Sequence, residues 1–201
     1  MNALHSLDDQ LFLTLNDWAR STPALHPVLA AYGAYGVVVF GLLLVVGVLR
    51  ARRQGSASLA AAGWACLAVL LALAVNQPIG HLVAEARPYL THPGVFVLAD
   101  RTTDYAFPSD HAVMAGATAA GLWRVWRRLG LVTLAAALAM AFTRVYIGAH
   151  YPWDVVAGLA LGALVSLAGW AALREPLTRA THWLRARPGL RAAFAAPTPA
   201  A

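Results

Sequence analysis

Long apolar runs alternate with short polar segments along most of this chain. The runs cover residues 27–49, 57–83, 108–123, 129–147 and 153–173. A run of about 20 apolar residues is the length at which an α-helix crosses the hydrocarbon core of a bilayer. Only 12% of the residues are charged, about half of what a soluble domain carries. The pattern therefore predicts an all-α integral membrane helical bundle with about five transmembrane helices.

The first residues follow a different pattern. Residues 5–20 place apolar side chains among acidic ones, which predicts a short amphipathic helix lying in the membrane interface. We divide the chain into an N-terminal interfacial segment (1–25), a transmembrane domain (26–175) and a basic cytoplasmic tail (176–201). The Pro/Ala-rich end of this tail is predicted to be disordered.

All fifteen cationic side chains are arginines, and their distribution predicts the orientation of the bundle. Five spans would put eleven of them on one side, namely Arg50, Arg52, Arg53, Arg124, Arg127, Arg128, Arg174, Arg179, Arg185, Arg187 and Arg191. Cytoplasmic loops carry the excess of positive charge, so this side is predicted to be cytoplasmic together with the C-terminus. The formal net charge of +6 could also suggest nucleic acid as a partner. Because the arginines lie between apolar runs, membrane orientation explains them better.

The predicted outer side collects polar residues from three separate segments. Arg87 and Pro88 follow the second run, and Ser109, Asp110 and His111 open the third. The segment from Arg144 to Asp154 joins the fourth run to the fifth, and its Pro152 should end one helix and start the next. Ionisable side chains at membrane helix ends are costly to keep in lipid, so their convergence predicts a functional site.

These residue types suit phosphoryl transfer. The forked donors of Arg87 and Arg144 fit phosphate oxygens, and the helix that starts at Ser109 offers free N–H groups to an anion. Ser109 would also serve as an ordinary helix cap. His111 and His150 can supply a general acid and a nucleophile. Asp154, four residues after His150, can hold the Nδ1 proton of that ring and leave Nε2 free to attack.

The same residues resemble the type 2 phosphatidic acid phosphatases, a superfamily of membrane lipid phosphatases that also includes vanadium haloperoxidases. Its three motifs are Lys-x6-Arg-Pro, Pro-Ser-Gly-His and Ser-Arg-x5-His-x3-Asp. The corresponding stretches here are Gly80-x6-Arg87-Pro88, Pro108-Ser109-Asp110-His111 and Thr143-Arg144-x5-His150-x3-Asp154. Gly80 stands where the motif has lysine, and Asp110 stands where it has glycine. Both departures, with Asn76-Gln77 before Arg87-Pro88-Tyr89, resemble the bacterial undecaprenyl-diphosphatase branch.

The resemblance implies a role for each residue. His150 would attack phosphorus to form a phosphohistidine, Asp154 would orient His150, and His111 would protonate the leaving lipid phosphate. The substrate-binding residues would be Arg87, Pro108, Ser109, Asp110 and Arg144. No metal or other cofactor is implied, and Arg101 is a candidate for the charge missing at Gly80. Asp100 and Asp104 are predicted to be solvated loop acids.

The predicted function is hydrolysis of undecaprenyl diphosphate, a polyprenyl diphosphate lipid, to undecaprenyl phosphate and phosphate. The protein would be a multi-pass protein of the bacterial inner membrane with its site facing the periplasm, surrounded by membrane lipids and without nucleic acid. Three alternatives stay open at this stage. They are a phosphatase of phosphatidic acid or phosphatidylglycerol phosphate, a phosphotransferase, and a non-catalytic protein that binds or transports lipid head groups.

Overall fold

A computed structural model of the protein describes residues 3–187, which are helical apart from loops and turns. The helices are α1 (Ala3–Ser21), α2 (His26–Arg52), α3 (Ser56–Val83), α4 (Pro88–Thr91), α5 (Asp110–Val125), α6 (Arg127–Tyr146) and α7 (Pro152–Ala186), and a short 3-10 turn, Pro23–Leu25, joins α1 to α2. The described part contains no β-strand. The predicted all-α bundle is therefore confirmed, while residues 188–201 of the predicted tail lie outside the described part.

The five predicted spans correspond to α2, α3, α5, α6 and α7. Among the described helices, four segments are long and apolar enough to cross a membrane: Pro23–Arg52, Ser56–Thr91, Arg127–Tyr146 and Pro152–Ala186. Helix α5 has 16 residues, or about 24 Å, which is shorter than a hydrocarbon core of about 30 Å. Helix α7 has 35 residues and continues well beyond Leu173, where the last span was predicted to end.

Helix α5 lies at the centre of the bundle, where small residues let backbones meet. Its residues Ala112, Val113 and Ala117 are completely buried. A Cβ added to Gly162 of α7 would lie 2.0 Å from the carbonyl oxygen of Val113. Because lipid tails are as apolar as leucine, membrane helices associate through such close packing rather than through hydrophobic burial. The short α5 is thus held by its neighbours.

The alternating directions of the helices separate two ends of the bundle. At one end, the guanidinium of Arg50 lies 5.0 Å from the ring centroid of Trp126. Arg185, near the end of α7, donates hydrogen bonds there to the carbonyl oxygens of Arg52 and Gln54 over 2.7 Å and 2.9 Å. The end of α3, the start of α5, the end of α6 and the start of α7 meet at the other end. The arginine clusters and the predicted site therefore lie at opposite ends.

Helix α1 packs against the loops at the site end. Asn16 donates to the carbonyl oxygen of Phe96 over 2.7 Å and accepts the N–H of the same residue over 2.8 Å. Asp8 accepts the backbone N–H of Trp153 over 3.0 Å, at the start of α7. Phe12 is completely buried, whereas Leu11 stays 46% exposed. The predicted amphipathic helix is present, and one of its faces holds the loops that build the site.

Candidate active site

The turn between α6 and α7 carries His150. Helix α6 ends at Tyr146, and Pro152 occupies the first position of α7, so the predicted helix break is found. Gly148 has a φ of +76°, a conformation that glycine adopts without a steric penalty. A Cβ on Gly148 would also lie 2.7 Å from the carbonyl oxygen of Phe96. Glycine at this position lets the turn pass close under the loop that α1 holds.

The imidazole of His150 is buried and fixed in orientation. Its Nδ1 lies 2.8 Å from the carbonyl oxygen of Ala106 and 3.3 Å from Oδ2 of Asp154. A carbonyl oxygen can only accept a hydrogen bond, so Nδ1 carries the proton and Nε2 keeps its lone pair. Burial, together with the positive charges of Arg144 and Arg87, lowers the pKa of His150 well below 6.5. The ring is therefore neutral at neutral pH, which is the state a nucleophile needs.

Asp154 supports His150 from the first turn of α7. Its Oδ2 also accepts the backbone N–H of Tyr151 over 2.8 Å, and the positive end of the α7 dipole favours a carboxylate there. Asp154 is completely buried. The carboxyl group of Glu85, from the segment after α3, interacts with it. The pairing of Asp154 with His150 expected from their spacing is present in the structure.

Arg87 connects His150 to the loop before α5. Its Nη1 donates to the carbonyl oxygen of Ala149 over 2.9 Å and to Nε2 of His150 over 3.0 Å. Its Nη2 forms an ion pair with Oδ2 of Asp104 at 2.9 Å. The prediction that Asp104 is only a solvated loop acid is therefore wrong. Arg87 is buried, and with Glu85 it joins the segment after α3 to the residues around His150.

A cavity of about 390 Å³ opens at the same end of the bundle. His111 and Arg144 line it together with residues of α2 and of the loop at 98–102, including Gly33 and Asp100. The Oγ of Ser109 and the Nε of Arg144 are buried in the described structure without a hydrogen-bond partner. A phosphoryl group has the acceptor oxygens that such donors lack. Ser109 occupies the N-cap position of α5, but its side chain makes no capping hydrogen bond.

Asp110 contacts α3 rather than the cavity. Its Oδ1 accepts hydrogen bonds from Asn76 over 2.7 Å and from Gln77 over 3.2 Å. Asn76 also donates to the carbonyl oxygen of Pro108 over 3.0 Å. An aspartate at position 110 and the Asn-Gln pair therefore belong to one contact between α3 and α5. Their joint occurrence has a structural reason, and the substrate-binding roles predicted for Pro108 and Asp110 would be indirect in this arrangement.

The candidates for the missing lysine charge are also located. A Cβ on Gly80 would lie 3.3 Å from the carbonyl oxygen of Phe107, so this position faces the loop before α5. The guanidinium of Arg101 lies 5.6 Å from the ring centroid of Tyr89, and it takes no part in the hydrogen bonds and ion pairs described for Arg87 and His150. Within residues 3–187, no group of three or more His, Cys, Asp or Glu side chains could hold a metal ion.

Sequence reasoning missed two contributors to the site. Ala106 contributes only a backbone carbonyl oxygen, for which residue type gives no signal. Asp104 stands four residues before Pro108. Because that motif is predicted to lie beside Arg87 and Arg144, a carboxylate so near to it in the sequence was the available signal for an ion pair. The contacts of Asp8 and Asn16 were hidden because they join residues that lie far apart in the chain.

Comparison with known proteins agrees with the three motifs. Residues 61–176, more than half of the chain, match the PAP2 superfamily. The chain belongs to the PAP2 superfamily. It is thus a multi-pass membrane protein and a lipid phosphatase of the PAP2 type.

Several relatives share most of their length with this PAP2 protein. The putative undecaprenyl-diphosphatase YbjG of Escherichia coli is 30% identical over 90% of this chain and 92% of its own length. The undecaprenyl-diphosphatase BcrC of Bacillus subtilis is 26% identical over 78% and 79%. A Bacillus licheniformis protein named bacitracin transport permease BcrC is 29% identical over 80% and 78%.

The fold also resembles a solved structure. The crystal structure of a PAP2-type phosphatidylglycerolphosphate phosphatase from Bacillus subtilis matches with a TM-score of 0.62. The match covers 86% of this chain and 88% of the other, at 19% sequence identity. This likeness concerns the fold.

Proposed function

We propose that this protein hydrolyses undecaprenyl diphosphate to undecaprenyl phosphate and inorganic phosphate through a phosphohistidine at His150. The observation that carries the proposal is the fixed orientation of the His150 ring. Its proton is held on Nδ1 by Ala106 and Asp154, and its Nε2 lone pair lies beside Arg87. The relatives named as undecaprenyl-diphosphatases support the choice of lipid.

In the first step, Nε2 of His150 attacks the terminal phosphorus. A P–N bond forms, and the bond from phosphorus to the bridging oxygen breaks. His111, at the start of α5, gives its proton to the leaving undecaprenyl phosphate. Arg87, Arg144 and the orphaned Oγ of Ser109 would hold the transferred phosphoryl group, whose equatorial oxygens carry the charge of the transition state.

In the second step, water attacks the phosphohistidine. His111, now neutral, accepts a proton from that water, the P–N bond breaks and inorganic phosphate leaves. His150 returns to the neutral ring with its proton on Nδ1. Throughout both steps, Asp154 balances the positive charge that the ring acquires when Nε2 is phosphorylated.

We also propose that the site faces the periplasm of a bacterial inner membrane, with the C-terminus in the cytoplasm. The arginines of the α2–α3 turn, the α5–α6 junction and the end of α7 lie at the end of the bundle opposite to His150. An excess of arginine marks the cytoplasmic side of membrane proteins. The orientation is tested with the native Cys66 replaced by serine and one cysteine introduced at Asp100 or at Arg53, which is labelled in intact cells with a membrane-impermeant reagent. Labelling only at position 53 would reverse it.

The activity test uses the full chain purified in detergent, with EDTA present. Undecaprenyl diphosphate should release one phosphate per molecule, and His150→Ala should abolish release while the helical content stays unchanged. The fold is also similar to that of a phosphatidylglycerolphosphate phosphatase, so phosphatidylglycerol phosphate is the second candidate substrate. Phosphatidic acid should be assayed beside it, and a higher kcat/KM for either lipid would replace the proposed substrate. A folded protein that binds these lipids but hydrolyses none would instead be a head-group binding protein, and phosphate recovered on an added acceptor would indicate a phosphotransferase.

A further inference from the structure

The loop before α5 places a carboxylate on Arg87, one of the predicted phosphate-binding residues. Oδ2 of Asp104 lies 2.9 Å from Nη2 of Arg87. The backbone carbonyl oxygen of Asp104 accepts from Nε of the same arginine over 3.4 Å. Two oxygens of one residue thus meet one edge of the guanidinium. This is how a phosphate or carboxylate ligand approaches arginine.

The charge of Asp104 reaches the other residues of the site as well. It acts electrostatically on His111, Arg144 and His150, so its charge influences three of the groups assigned to the phosphoryl transfer. Burial alone would raise the pKa of Asp104, but hydrogen bonds from Thr102 and Arg87 outweigh it and lower the pKa below 3.8. Asp104 is therefore an anion at every pH at which the protein would work.

The same contact ties Arg87 to the nucleophile. While Nη2 of Arg87 holds Asp104, its Nη1 donates to Nε2 of His150 over 3.0 Å. That hydrogen bond occupies the lone pair that must attack phosphorus. A phosphoryl group can reach His150 only if Arg87 turns its donors toward the incoming oxygens.

The side chain of Asp104 is the exposed member of its ion pair with Arg87. It is 58% exposed, whereas the Arg87 side chain is only 6% exposed. The neighbouring Thr102 and Asp100 line the cavity, so the loop that carries Asp104 forms part of the cavity wall. Arg87 is therefore the buried partner of this ion pair, and the exposed carboxylate is the one that a ligand can replace.

We propose that the Asp104 carboxylate is a resident competitor, which occupies the anion position on Arg87 in the empty site and is displaced by a phosphoryl group of the substrate or by inorganic phosphate. Asp104 thereby sets the affinity of the site for phosphate. This inference rests on the proposed function, because it takes Arg87 as a phosphate-binding residue.

The test compares KM for the lipid substrate and the inhibition constant for inorganic phosphate in three variants of the full chain. Asp104→Asn removes the competing charge, so both constants should fall about fivefold, the factor that corresponds to an ion pair of about 1 kcal/mol. Asp104→Glu keeps a carboxylate and should stay closer to the unmodified protein. Asp100→Asn removes the same charge from the same loop without touching Arg87, and it measures the long-range electrostatic contribution.

The outcomes separate this inference from the function on which it rests. An unmodified protein that hydrolyses no lipid phosphate would refute the proposed function. If the protein is active but Asp104→Asn raises KM or the inhibition constant for phosphate, or lowers kcat with both constants unchanged, the proposed competition is wrong. Asp104 would then be a residue that positions Arg87. Equal falls in Asp104→Asn and Asp100→Asn would also overturn it, because they would show a general effect of loop charge. A thermal unfolding curve for each variant checks that the kinetic constants are measured on folded protein.

Discussion

The most informative single change is Asp154→Asn, because the structure gives the Nδ1 proton of His150 two acceptors. The carbonyl oxygen of Ala106 lies at 2.8 Å and Oδ2 of Asp154 at 3.3 Å. An asparagine can still accept the N–H of Tyr151, and Ala106 can still hold the ring in its reactive tautomer. The change therefore removes chiefly the negative charge that faces the ring.

The magnitude follows from that distance. A unit charge 3.3 Å from the ring nitrogen interacts with a full positive charge by about 5 kcal/mol at an effective dielectric constant of about 20. If about half of the charge has developed in the transition state, the loss is about 2.5 kcal/mol, or roughly 70-fold in rate. Removing the attacking nitrogen by His150→Ala should leave no turnover at all.

Phosphate release from the lipid substrate, measured under saturating and limiting conditions for both variants, tests this reasoning. The expected result is a fall in kcat of about two orders of magnitude for Asp154→Asn, with KM nearly unchanged, since the charge acts on the transition state. A loss as complete as in His150→Ala would show that Ala106 does not hold the tautomer. A loss below about threefold would show that the carboxylate does not balance the developing charge.

Three further predictions concern packing, pH and selectivity. Gly162→Ala would press a Cβ against the carbonyl oxygen of Val113 and should lower the free energy of unfolding by about 3 kcal/mol or more. Gly63→Ala, whose Cβ would meet open space, should not lower it. Equal unfolding midpoints for the two variants would contradict the packing argument. Burial raises the pKa of Asp8 from 3.8 to about 6, so its contribution to stability is full below about 3.8 and is lost as the pH rises through about 6. Asp8→Asn should therefore raise the unfolding midpoint at pH 7.5 but not at pH 4. A gain that is the same at both pH values would exclude titration of Asp8 as the cause. Asp110→Gly releases the α3 amides that hold the start of α5 and should shift the relative rates on lipid mono- and diphosphates, a change that a substrate panel would detect; unchanged relative rates would mean that the contact does not affect selectivity.

The periodic order of apolar runs and polar breaks was sufficient to predict the helical bundle. Twenty apolar residues in a row leave the chain little choice, because the backbone can satisfy its own hydrogen bonds in lipid only as a helix or a closed barrel. The position of Pro152 likewise predicted where α6 gives way to α7. Helix ends were harder to predict, and α7 continues past Leu173 and through Pro176 to Ala186.

The sequence also identified the chemical groups of the candidate site, since Arg144, His150 and Asp154 stand at a spacing specific enough to be recognised in one segment. It could not determine their contacts. These contacts join residues that are far apart in the chain or involve a backbone atom. They are the hydrogen bond from His150 to Ala106, the ion pair of Arg87 with Asp104 and the hydrogen bonds between Asn16 and Phe96. Such contacts depend on how helices of fixed length pack around α5, and only the folded chain brings these atoms within hydrogen-bonding distance.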